Sequence, residues 1–349
     1  MSGKRRSKPI VKAAPTILEA MSHPDLWGRW FSDKASWAAW LVVLRAIFGL
    51  PLSDDELDLF RRCTGRTAPP AGGACETWLI CGRRAGKSMI LALIAVYLGC
   101  FIDWSPYLSP GERGTVMVLA ADRKQARTIF RYAKALIAEV PTLAHLIERE
   151  TAEGLDLKSG VTLEIMAASF RTVRGYTVLA ALLDELAFWR SDEDSSNPDE
   201  AILAALRPAQ ATIRGAMLLC ASSPYARRGA LWNAHRLHYG KDDSPALIWR
   251  ADTKTMNPTV PDSVIAEAYE RDPASAAAEY GAEFRSDVAG FLDRALVEAA
   301  VDADVAVRPP REGISYFCFA DVASGAHDVL HNFMRVERRF ALEKRIQQN

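Results

Sequence analysis

Two short segments of this 349-residue chain carry residue types that could handle a nucleotide. The first is Gly82-Arg83-Arg84-Ala85-Gly86-Lys87-Ser88, which follows the apolar run Thr77–Cys81 and precedes a long apolar stretch from Met89. A strand that passes through a glycine-containing loop into a helix is the setting of a phosphate-binding loop. Glycine lets the backbone wrap close to phosphate, and the free N–H groups at the helix start supply donors and a partial positive charge. In that setting Lys87 would reach the β- and γ-phosphates of ATP, and Ser88 would place its hydroxyl on Mg2+. The usual pattern has a glycine five residues before Gly86, where this chain has Cys81 and Gly82 is displaced by one position. A chance Gly-Lys-Ser in a surface loop is the competing reading, and the flanking strand and helix speak against it.

The second segment is Asp184-Glu185, at the end of the apolar run Val178–Leu183. Such a run reads as a buried strand, and acids at its C-terminal end stand where ligands bind in open α/β sheets. Asp184 would hold Mg2+, directly or through water, and Glu185 would orient and deprotonate the attacking water. The 97-residue interval from Lys87 to Asp184 leaves room for intervening strands and helices. By itself the pair could equally be a solvated turn. Together with the loop it reads as the other half of an ATP site.

The elements that must position these groups are legible as an alternation of strands and helices. Strands are expected at Thr77–Cys81, Thr115–Ala120, Val161–Met166, Val178–Leu183, Ala216–Ala221 and Ala246–Arg250. An amphipathic helix is expected over Arg123–Ala138. Alternation of this kind predicts an α/β fold, a mostly parallel sheet flanked by helices. Ahead of it, Trp27, Trp30, Phe31, Trp37, Trp40, Leu41 and Leu44 would form the apolar faces of two helices between Trp27 and Phe60. A breaker stretch with Pro69, Pro70, Gly72 and Gly73 follows. After Asn257-Pro258 two helices are expected, Ser263–Glu270 and Ala274–Phe284, and then a last strand at Ile314–Ala320. The division expected is a flexible basic arm over 1–15, an ATPase domain over 16–256, a helical linker over 257–310 and a further domain from 311. Lys4, Arg5, Arg6, Lys8 and Lys12 of the arm could touch phosphates or simply be solvated.

Bulk composition limits the remaining choices. Hydrophobic residues make up 49% and charged residues 25%, ordinary for a globular protein with a sizeable core. Lys plus Arg (43) balances Asp plus Glu (43), so any nucleic-acid contact must come from local patches. The six cysteines are scattered without a C-x-x-C pair or zinc spacing, which reads as reduced, mostly buried thiols. The basic N-terminus lacks the apolar core of a signal peptide. The longest apolar run, Met89 to Ile102, falls short of the roughly 20 residues a membrane span needs. A cytoplasmic protein with no membrane association is expected.

Taken in order, the motifs resemble those of the large terminase subunits of tailed double-stranded DNA phages, over roughly residues 35 to 330. In that family the phosphate loop commonly reads G-R-x-x-G-K-S/T, which accommodates Cys81. Leu182-Leu183-Asp184-Glu185 with Phe188-Trp189 resembles its Walker B segment, and Ala221-Ser222-Ser223-Pro224 its coupling motif. Phe60-Arg61-Arg62-Cys63-Thr64-Gly65-Arg66 with Pro69-Pro70 resembles its lead-in, and Asp122-Arg123-Lys124-Gln125-Ala126 the segment after its second core strand. The resemblance implies an ASCE-type ATPase that uses ATP and Mg2+. It implies a motor that docks as a ring of copies at a portal protein and drives double-stranded DNA into a capsid, with a small terminase subunit choosing the DNA. It places the protein in the bacterial host cytoplasm rather than in the mature virion. Arg83 would sense or stabilise the γ-phosphate, with a loop salt bridge as the plainer role for Arg83 and Arg84. Ser222 and Ser223 would link phosphate loss to movement, or simply end a strand.

Family members continue into an RNase H-like nuclease domain, whose two-metal chemistry needs acids from several elements. Phe317-Cys318-Phe319-Ala320-Asp321, with Gly325 and Asp328, resembles the first strand and turn of that domain, and Asp321 would be its first metal ligand. The chain stops at Asn349, so a shortened nuclease domain is expected, with an unpaired first strand. Phe333, Val336, Phe340 and Leu342 suggest a short amphipathic helix after His331 rather than a strand hairpin. A helicase or other translocase with the same core, and an inactive remnant that only binds partners, are the rival functions.

Overall fold

The structure, a computed structural model, describes residues 14–168, 175–189, 198–286, 316–320 and 331–335. They divide into two compact units, 1–289 and 290–349. In the first, the helices are α1 (Ile17–Ser22), α2 (Lys34–Phe48), α3 (Asp54–Thr64), α4 (Lys87–Phe101), α5 (Arg123–Ala138) and α6 (Pro141–Ala144). They continue with α7 (Pro198–Gln210), α8 (Gly229–His238), α9 (Thr253–Met256), α10 (Asp262–Arg271) and α11 (Pro273–Glu279). The strands of this unit are β1 (Glu76–Cys81), β2 (Gly114–Ala120), β3 (Ile147–Glu150) and β4 (Gly154–Leu157). They are followed by β5 (Val161–Ala167), β6 (Thr177–Asp184), β7 (Met217–Ser222) and β8 (Ala246–Ala251).

These eight strands form one sheet in the order β3-β4-β5-β2-β6-β7-β1-β8. The six from β5 to β8 run parallel, and β4 and β3 extend one edge antiparallel. Side chains alternate across a strand, so a sheet covered on both faces needs apolar residues at consecutive positions. The strands show this directly. Leu79 and Cys81, Val116 and Val118, Ala180 and Leu182 face the core beneath α2, α4 and α5. Their neighbours Trp78 and Ile80, Met117 and Leu119, Ala181 and Leu183 pack on the other side against α7 and α8. The expected α/β class, a mostly parallel sheet flanked by helices, is the observed one.

The apolar character of α4 is explained by its place. Every residue from Ile90 to Gly99 is buried, so this helix runs through the core directly behind the phosphate loop. Burial of Ile90, Leu91, Leu93 and Ile94 contributes about 1.5–3 kcal/mol each, which anchors the loop that precedes them. α2 starts on Asp33, whose carboxylate accepts from the Ala35 and Ser36 amides, and ends on Gly49 in the left-handed region. No helix among the described residues is long and apolar enough to cross a membrane.

Several elements differ from the sequence-based expectations. Trp27, Trp30 and Phe31 lie in a turn between α1 and α2, not on a helix. Trp27 is nonetheless fully buried, its indole N–H donating to the Leu136 carbonyl at 2.9 Å, so its apolar spacing reported burial rather than helix. The last helix of this unit ends at Glu279 instead of Phe284, because Gly281 and the left-handed Ala282 turn the chain away. α10 and α11 fall within the first unit. Residues 1–13 of the basic arm lie outside the described residues.

In the second unit, β9 (Tyr316–Ala320) pairs antiparallel with β10 (His331–Arg335), from Tyr316 opposite Arg335 to Ala320 opposite His331. Two expectations fall here: the Ile314–Ala320 strand is not unpaired, and the chain after His331 starts as a strand rather than a helix. The periodicity of Phe333 and Val336 was too short to separate the two, and a hairpin partner decides for the strand. Asp321, Gly325 and Asp328 lie outside the described residues, as does the rest of the tail.

Candidate nucleotide site

Parallel pairing brings the C-terminal ends of β1, β6, β7 and β2 to one edge of the sheet, where open α/β sheets bind ligands. β7 stands between the strand that leads into Gly82–Ser88 and the strand that ends in Asp184.

The loop itself is held by its carbonyls. Lys87 Nζ donates to the Cys81 and Gly82 carbonyls (3.2 Å each), Thr253 Oγ1 to that of Arg83 (2.8 Å) and Asn257 Nδ2 to that of Arg84 (2.8 Å). The buried Trp40 indole donates to the Ala85 carbonyl at 2.7 Å. With the carbonyls of five consecutive residues engaged, the backbone is fixed in one curve, with Arg84 and Gly86 in the left-handed region. The first-turn amides of α4 have no intrahelical acceptor, as at any helix start, and become the donors for an anion. The structure also accounts for the displaced glycine. Cys81 is an ordinary buried strand residue, whereas a Cβ on Gly82 would collide with Thr253 Oγ1 and stand 2.6 Å from the Tyr280 carbonyl.

Lys87 is only 5% exposed and ties the two motifs together. Its ammonium donates to Ser223 Oγ (2.9 Å) and lies 3.3 Å from Glu185 Oε1. Ser88 Oγ donates to Asp184 Oδ2 at 2.9 Å, and Gln125 Nε2 donates to the same oxygen at 2.8 Å. Asp184 is fully buried, and its other oxygen, Oδ1, has no partner. Burial and the neighbouring Glu185 push the Asp184 carboxyl up to about 6, against the pull of Lys87, Ser88 and Gln125. An unpartnered carboxylate oxygen beside a serine hydroxyl is a fitting donor set for Mg2+, which takes hard oxygen ligands and keeps much of its water. No group of three or more His, Cys, Asp and Glu among the described residues could form a metal cage, so phosphate and water would complete such a shell.

Glu185 occupies the left-handed region at φ 52°, a conformation that costs a non-glycine residue about 1–3 kcal/mol. The amide of Glu185 donates to the Ala221 carbonyl (2.7 Å), and its Oε2 accepts from the Ser223 amide (3.2 Å). Ser222 Oγ stands 3.3 Å from the same oxygen and 2.8 Å from the Ser223 carbonyl. The end of β7 thus touches both the carboxylate and the lysine. Beside these groups opens a cavity of about 770 Å3, lined by Arg83, Asp122, Gln125, Glu185, Phe188 and Ser223 among others. That volume suits a nucleotide-sized ligand.

Of the residues expected from sequence, the phosphate loop, Asp184, Glu185, Ser222 and Ser223 come together. Arg83 lines the cavity, but its guanidinium pairs with Glu279 of α11 at 3.0 Å, the plainer salt-bridge role, with 62% of its side chain exposed. Asp321 lies outside the described residues. Sequence reasoning quoted Gln125 within a motif without giving it a task, placed Trp40 on an apolar helix face and Asn257 at a boundary without linking either to the loop, and did not single out Thr253 or Glu279. A polar residue in the first turn after Asp122, the helix cap, was the available signal for Gln125. The other four have none, being far away in sequence.

No family model matches the chain, and no curated protein does. Solved structures do resemble it. The large terminase of bacteriophage HK97 is 18% identical with a TM-score of 0.48, over 71% of this chain and 54% of that one. The ATPase domain of the Thermus phage P74-26 large terminase is 17% identical with a TM-score of 0.46, over 69% of this chain and 97% of that one. The large terminase of a thermophilic bacteriophage, in complex with ATP-γ-S, is 14% identical with a TM-score of 0.43, over 78% of this chain and 62% of that one. All three are phage large terminases. The chain spans about half the length of the HK97 protein it matches.

Proposed function

We propose that the chain hydrolyses ATP with Mg2+ and is the motor portion of a phage DNA-packaging terminase large subunit. The observation that carries the hydrolysis is the junction of Lys87 with Glu185 and of Ser88 with Asp184, beside a nucleotide-sized cavity that Glu185 lines. The packaging role rests on the order of the sequence motifs that form this junction.

In this reading the loop amides and Lys87 bind the β- and γ-phosphates, and the fixed carbonyls keep those amides facing the ligand. Ser88 and Asp184 would hold Mg2+, which when bound neutralises phosphate charge. Glu185, steadied by the Ser223 amide, accepts a proton from the attacking water. Ser223 contacts both Lys87 and Glu185, so loss of the γ-phosphate changes the charge balance at the end of β7. That is the physical content of a coupling role for Ser222 and Ser223. Arg83 lies close enough to the cavity to exchange Glu279 for a phosphate oxygen. The partners in this reading are double-stranded DNA, a portal protein, a small terminase subunit and further copies of the chain in a ring, in the host cytoplasm. The β9–β10 hairpin is the start of the RNase H-like sheet.

The test is ATPase activity of the purified protein with and without double-stranded DNA, beside Glu185→Gln and Lys87→Ala. Glu185→Gln should bind ATP·Mg2+ normally and turn over about 10²–10⁴-fold more slowly, because the amide cannot take the proton. Lys87→Ala should lose binding as well. Equal turnover by wild type and Glu185→Gln would remove the carboxylate from the mechanism.

A further inference from the structure

α5 has two working faces, and only the inner one belongs to the ATP site. Its apolar side, with Ala126, Ile129, Ala133, Leu136 and Ile137, is buried. The helix also carries Arg123, Lys124, Arg127, Arg131 and Lys134, with no acidic residue between Arg123 and Ala138. At 3.6 residues per turn those five cations fall within an arc of about 100°. Apart from Ala138, no apolar residue shares that arc. Arg123, Arg127 and Arg131 form a row with steps of about 6 Å along the axis. All three are exposed, as is Lys124.

The charges on this face are mostly uncompensated. Lys134 pairs with Glu150 at 2.7 Å, and Arg131 donates only to the Thr128 hydroxyl, at 3.2 Å. Arg123, Lys124 and Arg127 have no acidic partner within the described residues. Glu153 lines a shallow cleft of about 180 Å3 beside Arg123 and Arg127 without forming an ion pair with either. The chain as a whole is neutral, so this is a local concentration of charge. A protein partner's interface would be expected to centre on aromatic or aliphatic anchors, which this arc lacks. A row of regularly spaced cations on a rigid helix instead complements a continuous line of phosphates.

We propose that the outer face of α5, through Arg123, Arg127 and Arg131, docks on the phosphate backbone of double-stranded DNA. The proposal rests on the reading of the chain as an ATPase that acts on DNA. It adds a route between the two ligands, because the first turn of the same helix sends Gln125 inward to Asp184. A helix held by DNA on one side and joined to the Asp184 carboxylate on the other lets DNA bias the ATP site.

The experiment compares the full chain with Arg123→Ala/Arg127→Ala/Arg131→Ala and with the matching triple Arg→Lys variant. Binding to a short random-sequence duplex is followed by fluorescence anisotropy across a salt series, together with basal and DNA-stimulated ATPase. The alanine triple should lower the slope of log affinity against log salt by about 2.7, or 0.9 per lost phosphate contact. It should also lose DNA stimulation while basal turnover stays the same. The lysine triple keeps the charge and should keep most of the slope. An unchanged slope in the alanine triple overturns the proposal. Stronger binding of poly-glutamate than of duplex, lost in the same variant, also overturns it, in favour of an acidic protein partner. Wild type that hydrolyses ATP yet ignores duplex DNA defeats this proposal and leaves the ATP site standing. An α5-dependent slope without any hydrolysis does the reverse.

Discussion

Asp184→Asn should abolish turnover and at the same time raise the thermal stability of the protein without nucleotide or metal. The Asp184 side chain is fully buried, with Oδ2 accepting from Ser88 and Gln125 and Oδ1 unpartnered. Burial and Glu185 raise its carboxyl from 3.8 to about 6. At 1.36 kcal/mol per pKa unit, the ionised form then destabilises the fold by about 3 kcal/mol. The sign follows from which state binds the proton. Below the unfolded value of 3.8 the group is protonated folded and unfolded, and the penalty is absent. Between 3.8 and about 6 the unfolded chain ionises while the folded one holds its proton, so wild-type stability falls. Above 6 the penalty is constant. Asparagine does not titrate, and its carbonyl can still accept from Ser88 and Gln125. Its NH2 in place of Oδ1 lacks an acceptor, which costs about 1–2 kcal/mol. The net gain near pH 7.5 is about 1–2 kcal/mol, a few degrees in Tm for a domain of this size. Scanning calorimetry of both proteins from pH 4 to 8 measures it. The variant should gain on wild type by about 2.5 kcal/mol across that range, since part of the penalty is already present at pH 4. A difference that stays flat from pH 4 to 8 would refute the argument that Asp184 is a strained buried charge.

Two further changes test the loop. Gly82→Ala places a methyl against Thr253 Oγ1 and the Tyr280 carbonyl, so it should destabilise the protein by about 1–3 kcal/mol and impair ATP binding, read by thermal melts and nucleotide titration. Arg83→Ala breaks only an exposed ion pair, so the melting temperature should hardly move. If Arg83 instead meets the transition state, kcat should fall by about 10²-fold with little change in ATP affinity, whereas normal turnover with lower stability would make it structural.

Sequence alone determined what is local. Gly82 to Ser88 are contiguous, and the apolar strand before them and apolar helix after them dictate a strand–loop–helix whatever the rest of the chain does. Asp184-Glu185 at the end of an apolar run, and α5 with its 3.6-residue period, are legible for the same reason: each reports which side of one element is apolar. Short or edge elements were not, since β3, β4 and β10 have few apolar positions and depend on a neighbour for their hydrogen bonds. Tertiary structure decided who meets whom at the site. Trp40 reaches Ala85 across 45 residues, Gln125 reaches Asp184 across 59, and Thr253 and Glu279 close on Arg83 across 170 and 196. No periodicity encodes such pairs. They follow from the strand order, which sets β7 between β1 and β6 and folds the chain after β8 back over the loop, so that carbonyls widely separated from their donors in sequence come within hydrogen-bonding distance.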